Sequence, residues 1–328
     1  IQGTSFAFIP IMVPFKAAGL GAVFTAAFIG GIFQIFIGKI LKPIRHLFPP
    51  LVTGIVVLMI GISLLKVGFM YAGGGAWLMN NKPEIFGNAN HLTVAFTVLI
   101  VAIFFNIKGK GMWSSASILI GMIAGYIVAM ALGMVNYGKI ASAGWFALPM
   151  PLQYGIDFVP GAIILMLFMA VVTTIETIGD ISATTMGGDN REATDKELSG
   201  GIMADGVGTA FGSLFNAMPN TSYSQNAGLV AFTGVISRHV GTIAGIILIL
   251  MGLFPKLGGI IAAMPESVIG GAAIIMFGLI TSAGIKLISR EKMNQRNLLI
   301  LGLSLSFGIG MSLLPQFVKH IPDFGISL

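Results

Sequence analysis

Three carboxylates lie in or beside long apolar runs of the sequence. Glu176 and Asp180 lie four residues apart near the end of a long apolar run, and Asp205 lies in a glycine-rich segment without Lys or Arg close by. An ionised carboxylate in an apolar span is costly unless it is paired, hydrated or protonated, so each is a functional candidate. Residues four apart share a helix face, and two close carboxylates resist double ionisation. This pattern favours a proton-coupled step, although Asp180 could instead cap a helix or face water at the membrane edge.

A polar window, residues 221–234, lies between apolar runs, and its first six residues all carry hydroxyl or amide side chains. Polar groups in hydrocarbon need a ligand, a water-filled cavity or packed protein around them. Ser and Thr also join membrane helices by hydrogen bonds, but adjacent Gln225 and Asn226 are costlier to bury without a function. A carboxylate with a carboxamide suits a flat heterocycle, because Glu176 accepts from a ring N–H while Gln225 donates and accepts.

The composition places these residues in a membrane. Hydrophobic residues make up 55% of the chain and charged residues 9%, against about 25% charged residues in soluble domains. The absence of Cys excludes disulfides and thiolate chemistry, and four scattered His form no ligand cluster. We expect no cofactor, and an enzyme is the least expected class, since no nucleophile with a base or metal-ligand set is evident.

The apolar runs predict membrane spans, and three of them are short, polar or rich in Gly: those near residues 4, 199 and 221. Such interrupted segments in two halves of a transporter point to its binding site. Asp157 and Glu266 lie at span starts, where carboxylates favour the helix N-terminus, and are interpreted as structural. The predicted spans lie near 4–15, 19–38, 50–70, 92–107, 115–136, 157–178, 199–216, 221–236, 240–262, 267–286 and 298–314.

An internal repeat relates the two halves. A shift of 217 residues places Thr4-Ser5-Phe6 on Thr221-Ser222-Tyr223 without a gap, and it also places Gly54 on Gly271. Seven predicted spans separate the two stretches, and an odd number reverses the orientation, so the halves are predicted to be inverted repeats. Most of the 18 basic residues fall on one side of this topology, which predicts that this side is cytoplasmic. Because these Lys and Arg residues are spread over the loops between spans, they form no basic patch that would bind nucleic acid.

The residues Gln225-Asn226-Ala227-Gly228, followed four residues later by Thr233-Gly234, resemble the signature of the nucleobase/ascorbate transporter family. Glu176, Asp180, Asp205 and the stretch 4–8 fit the family's order and spacing, and the resemblance covers essentially the whole chain. Measured against the family's fourteen spans, it implies that the first two and the last are absent from this sequence.

The resemblance implies an all-α integral membrane fold of two inverted seven-span repeats, with two short antiparallel strands crossing at mid-membrane. The stretches at Thr4 and Thr221 would form these strands. A core domain would comprise residues 1–47 and 149–264, and a gate domain residues 48–148 and 265–328. Dimerisation through the gate domain is also implied by the family.

Site roles carry over residue by residue. Glu176 and Gln225 would bind a base; Asp205, with Asp180, would support proton coupling. Gln225 and Gly234 resemble the xanthine and urate branch, since uracil-preferring members have Glu and a basic residue at these positions. The remaining contributors would be Asn226, which holds the site's shape, and Phe6, Tyr223 and Ser224, which supply stacking and backbone contacts.

The expected function is proton-coupled symport of xanthine or uric acid across the plasma (cell inner) membrane, with the bilayer and a purine base as partners. A permease for uracil or another nucleobase is an alternative. An anion transporter of the sulfate-permease type shares the architecture by resemblance, but the acidic residues argue against it. A non-transporting receptor or fragment is the alternative from another class.

Overall fold

The computed structural model describes residues 2–8, 12, 15, 19–44, 49–223, 226, 230, 234–289 and 291–314. Within them the chain is mostly helical, with one pair of short strands. In chain order the elements are β1 (Gln2–Thr4), a 3-10 turn (Phe6–Phe8), α1 (Leu20–Lys39), α2 (Leu41–Ile44), α3 (Pro50–Ala72), α4 (Ala76–Asn81), α5 (Ala89–Lys108), α6 (Met112–Ser115), α7 (Ser117–Ala131), α8 (Tyr137–Ser142), α9 (Pro160–Asp189), α10 (Asp195–Leu214), β2 (Asn220–Ser222), α11 (Arg238–Gly252), α12 (Pro255–Ala262), α13 (Glu266–Ile288) and α14 (Gln295–Leu313).

Five of the described helices are long and apolar enough to cross a membrane: α1, α3, α5, α9 and α13. The predicted span at 240–262 is not one straight helix, because the chain breaks there into α11 and α12, which meet at an angle of 84°. Pro255 opens α12 and restricts Phe254 to an extended backbone, which ends α11. The bent pair would make a sixth span.

Helix α9 is longer than its apolar run. Pro160 lies in its first turn, where a missing N–H costs nothing, and the helix continues until Asn190 adopts a left-handed conformation with φ of 54°. The predicted span ended at residue 178, whereas α9 extends to Asp189. Asp180 is therefore an interior helical residue and does not cap a helix.

Helix α10 begins with a capping box. The Thr194 hydroxyl accepts a hydrogen bond from the backbone of Glu197, and the Glu197 carboxylate accepts one from the backbone of Thr194. Arg191 binds the same carboxylate through two nitrogens at 2.6 and 2.8 Å. The guanidinium of Arg191, with the Thr194 donors, holds the pKa of Glu197 well below its usual range.

One compact unit comprises Ile1–Ile60, Pro149–Ile236 and Ile280–Leu328. In it, α1 packs between α9 and α10 through glycines that allow close backbone approach. A Cβ atom at Gly31 would lie 2.6 Å from the backbone nitrogen of Ala210, and one at Gly30 would lie 2.7 Å from the side chain of Met166. Its apolar core is formed by Ala7, Phe8, Ala26, Ala27, Ala162, Met166 and Met169.

The second unit comprises Gly61–Leu148 and Ser237–Leu279. There α7 packs on α5 through Gly121 and Gly125, which face Ala102 and Val98. The buried core of this unit is formed by Val94, Val98, Ala129, Val135, Ala263, Val268 and Ala272. The assignment of core and gate domains, with the boundaries given above, stays a prediction.

The predicted pair of antiparallel strands is confirmed. Gln2 pairs with Ser222, Gly3 with Thr221, and Thr4 with Asn220. A shift of 217 residues places Gly3 on Asn220 and Thr4 on Thr221. The repeat therefore converts the pair Gly3–Thr221 into the pair Thr4–Asn220. The register is thus the one that a two-fold relation between the repeats requires.

Helix bounds recur under the same shift. Helix α1 maps onto residues 237–256, where α11 and the start of α12 lie, and α3 maps onto residues 267–289, where α13 lies. The repeat seen in the sequence therefore extends to the secondary structure.

The tight contact of α10 with α1 gives a test of this packing. A Cβ atom at Gly206 would lie 2.7 Å from the carbonyl oxygen of Gly31 and from the backbone nitrogen of Ile35. We expect Gly206→Leu to destabilise the protein by about 3 kcal/mol, because backbone atoms cannot move aside cheaply. The measurement is the apparent melting temperature in detergent.

The matched control is Gly200→Leu, six residues earlier on the same helix, where an added Cβ meets nothing within 4 Å. It should melt at or above the wild-type temperature, since Leu favours helix over Gly. Equal melting temperatures for the two variants would contradict the close packing of α1 on α10.

Candidate functional site

The two strands form a short bridge within the first unit. The backbone N–H of Ser5 donates to the carbonyl of Pro219 at 2.9 Å, which extends the strand pairing beyond β1. Tyr223, directly after β2, is partly buried, and its hydroxyl donates to the carbonyl of Thr4 at 3.3 Å. The stretches at Thr4 and Thr221, distant in sequence, are thereby held as one structure.

The three carboxylates lie on the two helices that pack on this bridge, α9 and α10. Glu176 and Asp180 of α9 are 5% and 7% exposed, and Asp205 of α10 is fully buried. The Ser222 hydroxyl of β2 donates to Asp180 Oδ2 at 2.9 Å, and the Thr177 hydroxyl of α9 donates to Asp205 Oδ2. Two neutral hydroxyls therefore hold two of the acids in position.

The start of β2 is fixed by α10 as well. The backbone N–H of Asn220 donates to the Thr209 hydroxyl at 2.9 Å, and Thr209 lies one helical turn after Asp205. The Asn220 side chain also donates to the Gln2 carboxamide at 3.4 Å. Helix α10 thus positions both a carboxylate and the strand beside it.

Several buried atoms keep hydrogen-bonding capacity. Among the described residues, Glu176 Oε2, Asp205 Oδ1 and Thr221 Oγ1 have no hydrogen-bond partner. A buried polar atom left unpaired costs about 1–3 kcal/mol. A ligand that donates hydrogen bonds would remove this penalty, and Glu176 is an acceptor next to the strand bridge.

The electrostatics of this region are acidic. Within the described parts of the chain, the ion pairs lie elsewhere, between Arg191 and the carboxylates of Asp189 and Glu197. In those same parts, no group of His, Cys, Asp and Glu is arranged to hold a metal ion. In those parts the hydroxyls of Ser222 and Thr177 donate to Asp180 and Asp205, and no described cation pairs with Asp205.

The structure brings together Glu176, Asp180, Asp205 and Tyr223 from the predicted set. The backbone N–H of Asn226 donates to the carbonyl of Tyr223 at 2.9 Å, in a turn after β2. Phe6 begins the 3-10 turn after β1. Three predicted contributions lie outside the described residues and side chains: Gln225, Ser224 and the side chain of Phe6.

Sequence reasoning missed the residues that orient the acids. Ser222 and Thr177 donate to acids that lie 42 and 28 residues away in the chain, so no local spacing identifies them. Thr209, which accepts from the backbone of Asn220 at the start of β2, was missed as well. Gln34 was also missed: it is buried in α1 with its Nε2 unpartnered among the described residues. The burial cost that singled out Gln225 applies equally to this residue.

Comparisons with known proteins agree with this architecture. A family model described as "Permease family" matches residues 1–317. Protein CPE0397 of Clostridium perfringens, assigned provisionally by its name to the purine permeases, is 39% identical over 98% of this chain and 70% of its own length. The xanthine permease XanP of Escherichia coli is 34% identical over 99% of this chain and 73% of its own. The uric acid transporter UacT of the same species is 35% identical over 93% and 62%.

Among solved structures, the transmembrane domain of the cyanobacterial bicarbonate transporter BicA superimposes with a TM-score of 0.62. The superposition covers 93% of this chain and 78% of the BicA domain at 18% sequence identity, which shows that the two share a fold. The predicted inverted-repeat membrane fold with two short strands is confirmed. The chain is a multi-pass protein of the plasma membrane, a transporter and not an enzyme, and it belongs to the nucleobase/ascorbate transporter family.

Proposed function

We propose that this nucleobase transporter is a proton-coupled symporter of a purine base, xanthine or uric acid. The observation that carries the proposal is Glu176, which is buried beside the strand bridge with one carboxylate oxygen unpartnered among the described residues. Such an oxygen is an acceptor for the ring N–H of an oxopurine. The names of XanP and UacT agree with this class of substrate.

Proton coupling is supported by the surroundings of Asp205. One oxygen accepts from Thr177, the other has no partner in the described part of the chain, and no described cation pairs with the acid. Binding a proton is the least costly way to neutralise a buried carboxylate. Glu176 and Asp180 lie on the neighbouring helix, so protonation at one acid influences the others.

The alternatives differ in what the site must bind. An anion transporter of the sulfate-permease type would share the fold, as the likeness to BicA illustrates, but an anion such as sulfate has no N–H to donate to the unpartnered oxygen of Glu176. Uracil or another nucleobase could also donate to Glu176. Dimerisation through the predicted gate domain rests on the family resemblance and is part of the proposal.

Uptake of radiolabelled xanthine by cells expressing the full-length protein tests the proposal. We expect saturable uptake that unlabelled xanthine or urate inhibits, that uracil and sulfate do not, and that an uncoupler abolishes, because the proton gradient drives accumulation. Inhibition by uracil alone would place the substrate among pyrimidines. Absence of uptake by a correctly inserted protein would support the receptor or fragment interpretation.

Replacing the proposed base-binding acid should remove transport. We expect Glu176→Gln to lower xanthine uptake at least about 100-fold, because an acceptor oxygen becomes an N–H₂ donor that faces the ring N–H of the base. Uptake is measured at matched surface expression. The control is Glu192→Gln on the exposed connector, which should transport normally; normal uptake by Glu176→Gln would overturn the assigned role.

Replacing the proposed coupling acid should separate binding from accumulation. We expect Asp205→Asn to lose accumulation against a gradient while it retains xanthine exchange across the membrane, because a neutral amide cannot take up and release a proton. Counterflow and uncoupler sensitivity are measured in proteoliposomes. Accumulation at the wild-type level would show that Asp205 does not carry the proton.

A further inference from the structure

Gln34 is a buried polar residue for which the proposed mechanism has no role. It lies on α1, its side chain is 1% exposed, and its Nε2 has no hydrogen-bond partner among the described residues. Burying a carboxamide donor without a partner is costly, so we expect a bridging water in the packed core of the first unit to satisfy it.

The glycines on either side locate the Gln34 side chain. Gly31 and Gly38, each about one turn away, face α10 at Ala210 and at Met203. Gly30, on the adjacent side of α1, faces Met166 of α9. Residues at these spacings share one helix surface. Gln34 therefore points into the groove where α9 and α10 meet α1.

Asp205 enters the same groove from α10. It directly precedes Gly206, which is in close contact with Gly31 and Ile35 of α1. Its carboxylate points toward α9, where Thr177 donates to Oδ2, and its Oδ1 is fully buried and unpartnered among the described residues. An unpaired acceptor and an unpaired donor thus share one three-helix groove.

The hydrogen-bonding capacities of the two groups are complementary. Of the buried side-chain atoms that lack a described partner, Gln34 Nε2 is a dedicated donor, whereas Asp205 Oδ1 and Glu176 Oε2 belong to carboxyl groups. We propose that the Gln34 carboxamide hydrogen-bonds to Asp205 through one bridging water and positions it for proton uptake and release. This inference deepens the proposed function and rests on it for its role in transport.

A carboxamide suits an acid that changes its protonation state. Its N–H₂ group donates to the carboxylate, and its carbonyl oxygen accepts from the protonated acid. Among the described residues, Glu176 of α9 is the carboxylate that interacts with Asp205, Asp180 lies one turn beyond Glu176 on α9, and β1 and β2 carry no titratable side chain. Helix α1 carries only the exposed Lys39, and α2 carries Lys42, whose side chain is outside the description. Gln34 therefore stabilises Asp205 by a dipole, without adding a charge.

The test follows the protonation of Asp205 by infrared spectroscopy of the purified full-length protein. Its carboxyl C=O band is identified as the band that disappears in Asp205→Asn. The midpoint of this band is the pH at which it has half its full intensity. We expect Gln34→Met, which keeps the side-chain volume but removes both hydrogen-bonding groups, to raise this midpoint by about one pH unit, because the ionised carboxylate loses a hydrogen-bond donor. The pH profile of xanthine uptake should move in the same direction.

Gly121→Ala is the control, because it disturbs the packing of α7 on α5 in the second unit without altering the groove or a polar side chain. It should lower thermal stability and leave the Asp205 band in place. If Gln34→Met does not insert, Gln34→Glu has the same length; an added acid facing Asp205 should also raise the midpoint of the band.

A band midpoint that Gln34→Met or Gln34→Glu leaves at the wild-type pH would overturn the inference. The infrared readout needs no substrate, so it decides the role of Gln34 even if the wild-type protein takes up no xanthine. Absence of wild-type uptake would instead contradict the proposed function. A shifted band together with an unshifted uptake profile would refute the part of the inference that concerns transport.

Discussion

The hydrogen bonds that tie the strand bridge to α9 and α10 are the interaction on which the site depends. A three-residue strand in a membrane protein has backbone N–H and C=O groups that cannot hydrogen-bond to water, so these groups need partners within the protein. At the start of β2 the Thr209 hydroxyl accepts a hydrogen bond from the backbone N–H of Asn220, and at its end the Ser222 hydroxyl donates one to Asp180. These contacts stabilise the irregular backbone and also fix the distance between the bridge and Asp180, so one set of bonds serves the fold and the candidate site.

Those bonds require helices that approach closely, which the glycines of α1 and α10 permit. Gly31 and Gly206 bring the two backbones into direct contact, and this draws Asp205 into the interior beside Thr177. A larger residue at either position would widen the groove and expose the acid. In this unit the small residues therefore determine how strongly the carboxylates are desolvated, and the polar residues determine how that desolvation is compensated.

The buried acids and the repeat could be predicted from the sequence, because each leaves a local signal: a charge in an apolar run, or a pattern that recurs after 217 residues. The strand pair was predicted from the family resemblance, not from a local signal. The sequence did not predict that α9 continues past residue 178, since the loss of apolar residues there resembles a membrane edge. Nor did it predict the break at Phe254, although Pro255 marks it, because the flanking residues apart from Lys256 are apolar or glycine and resemble one span. The hydroxyl partners of the acids could not be predicted, as they depend on contacts such as Ser222 with Asp180, which only the folded chain creates.

The pairing of β1 with β2 also constrains the order of events during biosynthesis. Gly3 emerges from the ribosome long before Thr221, its partner in the ladder. Until then the first strand has no edge to pair with, and closing a chain segment of this length costs about 5 kcal/mol of entropy for a flexible chain. Assembly of the transport site is therefore a late step that follows insertion of the intervening helices. A mutation that slows their packing would lengthen the time for which β1 is exposed to the quality-control machinery of the membrane.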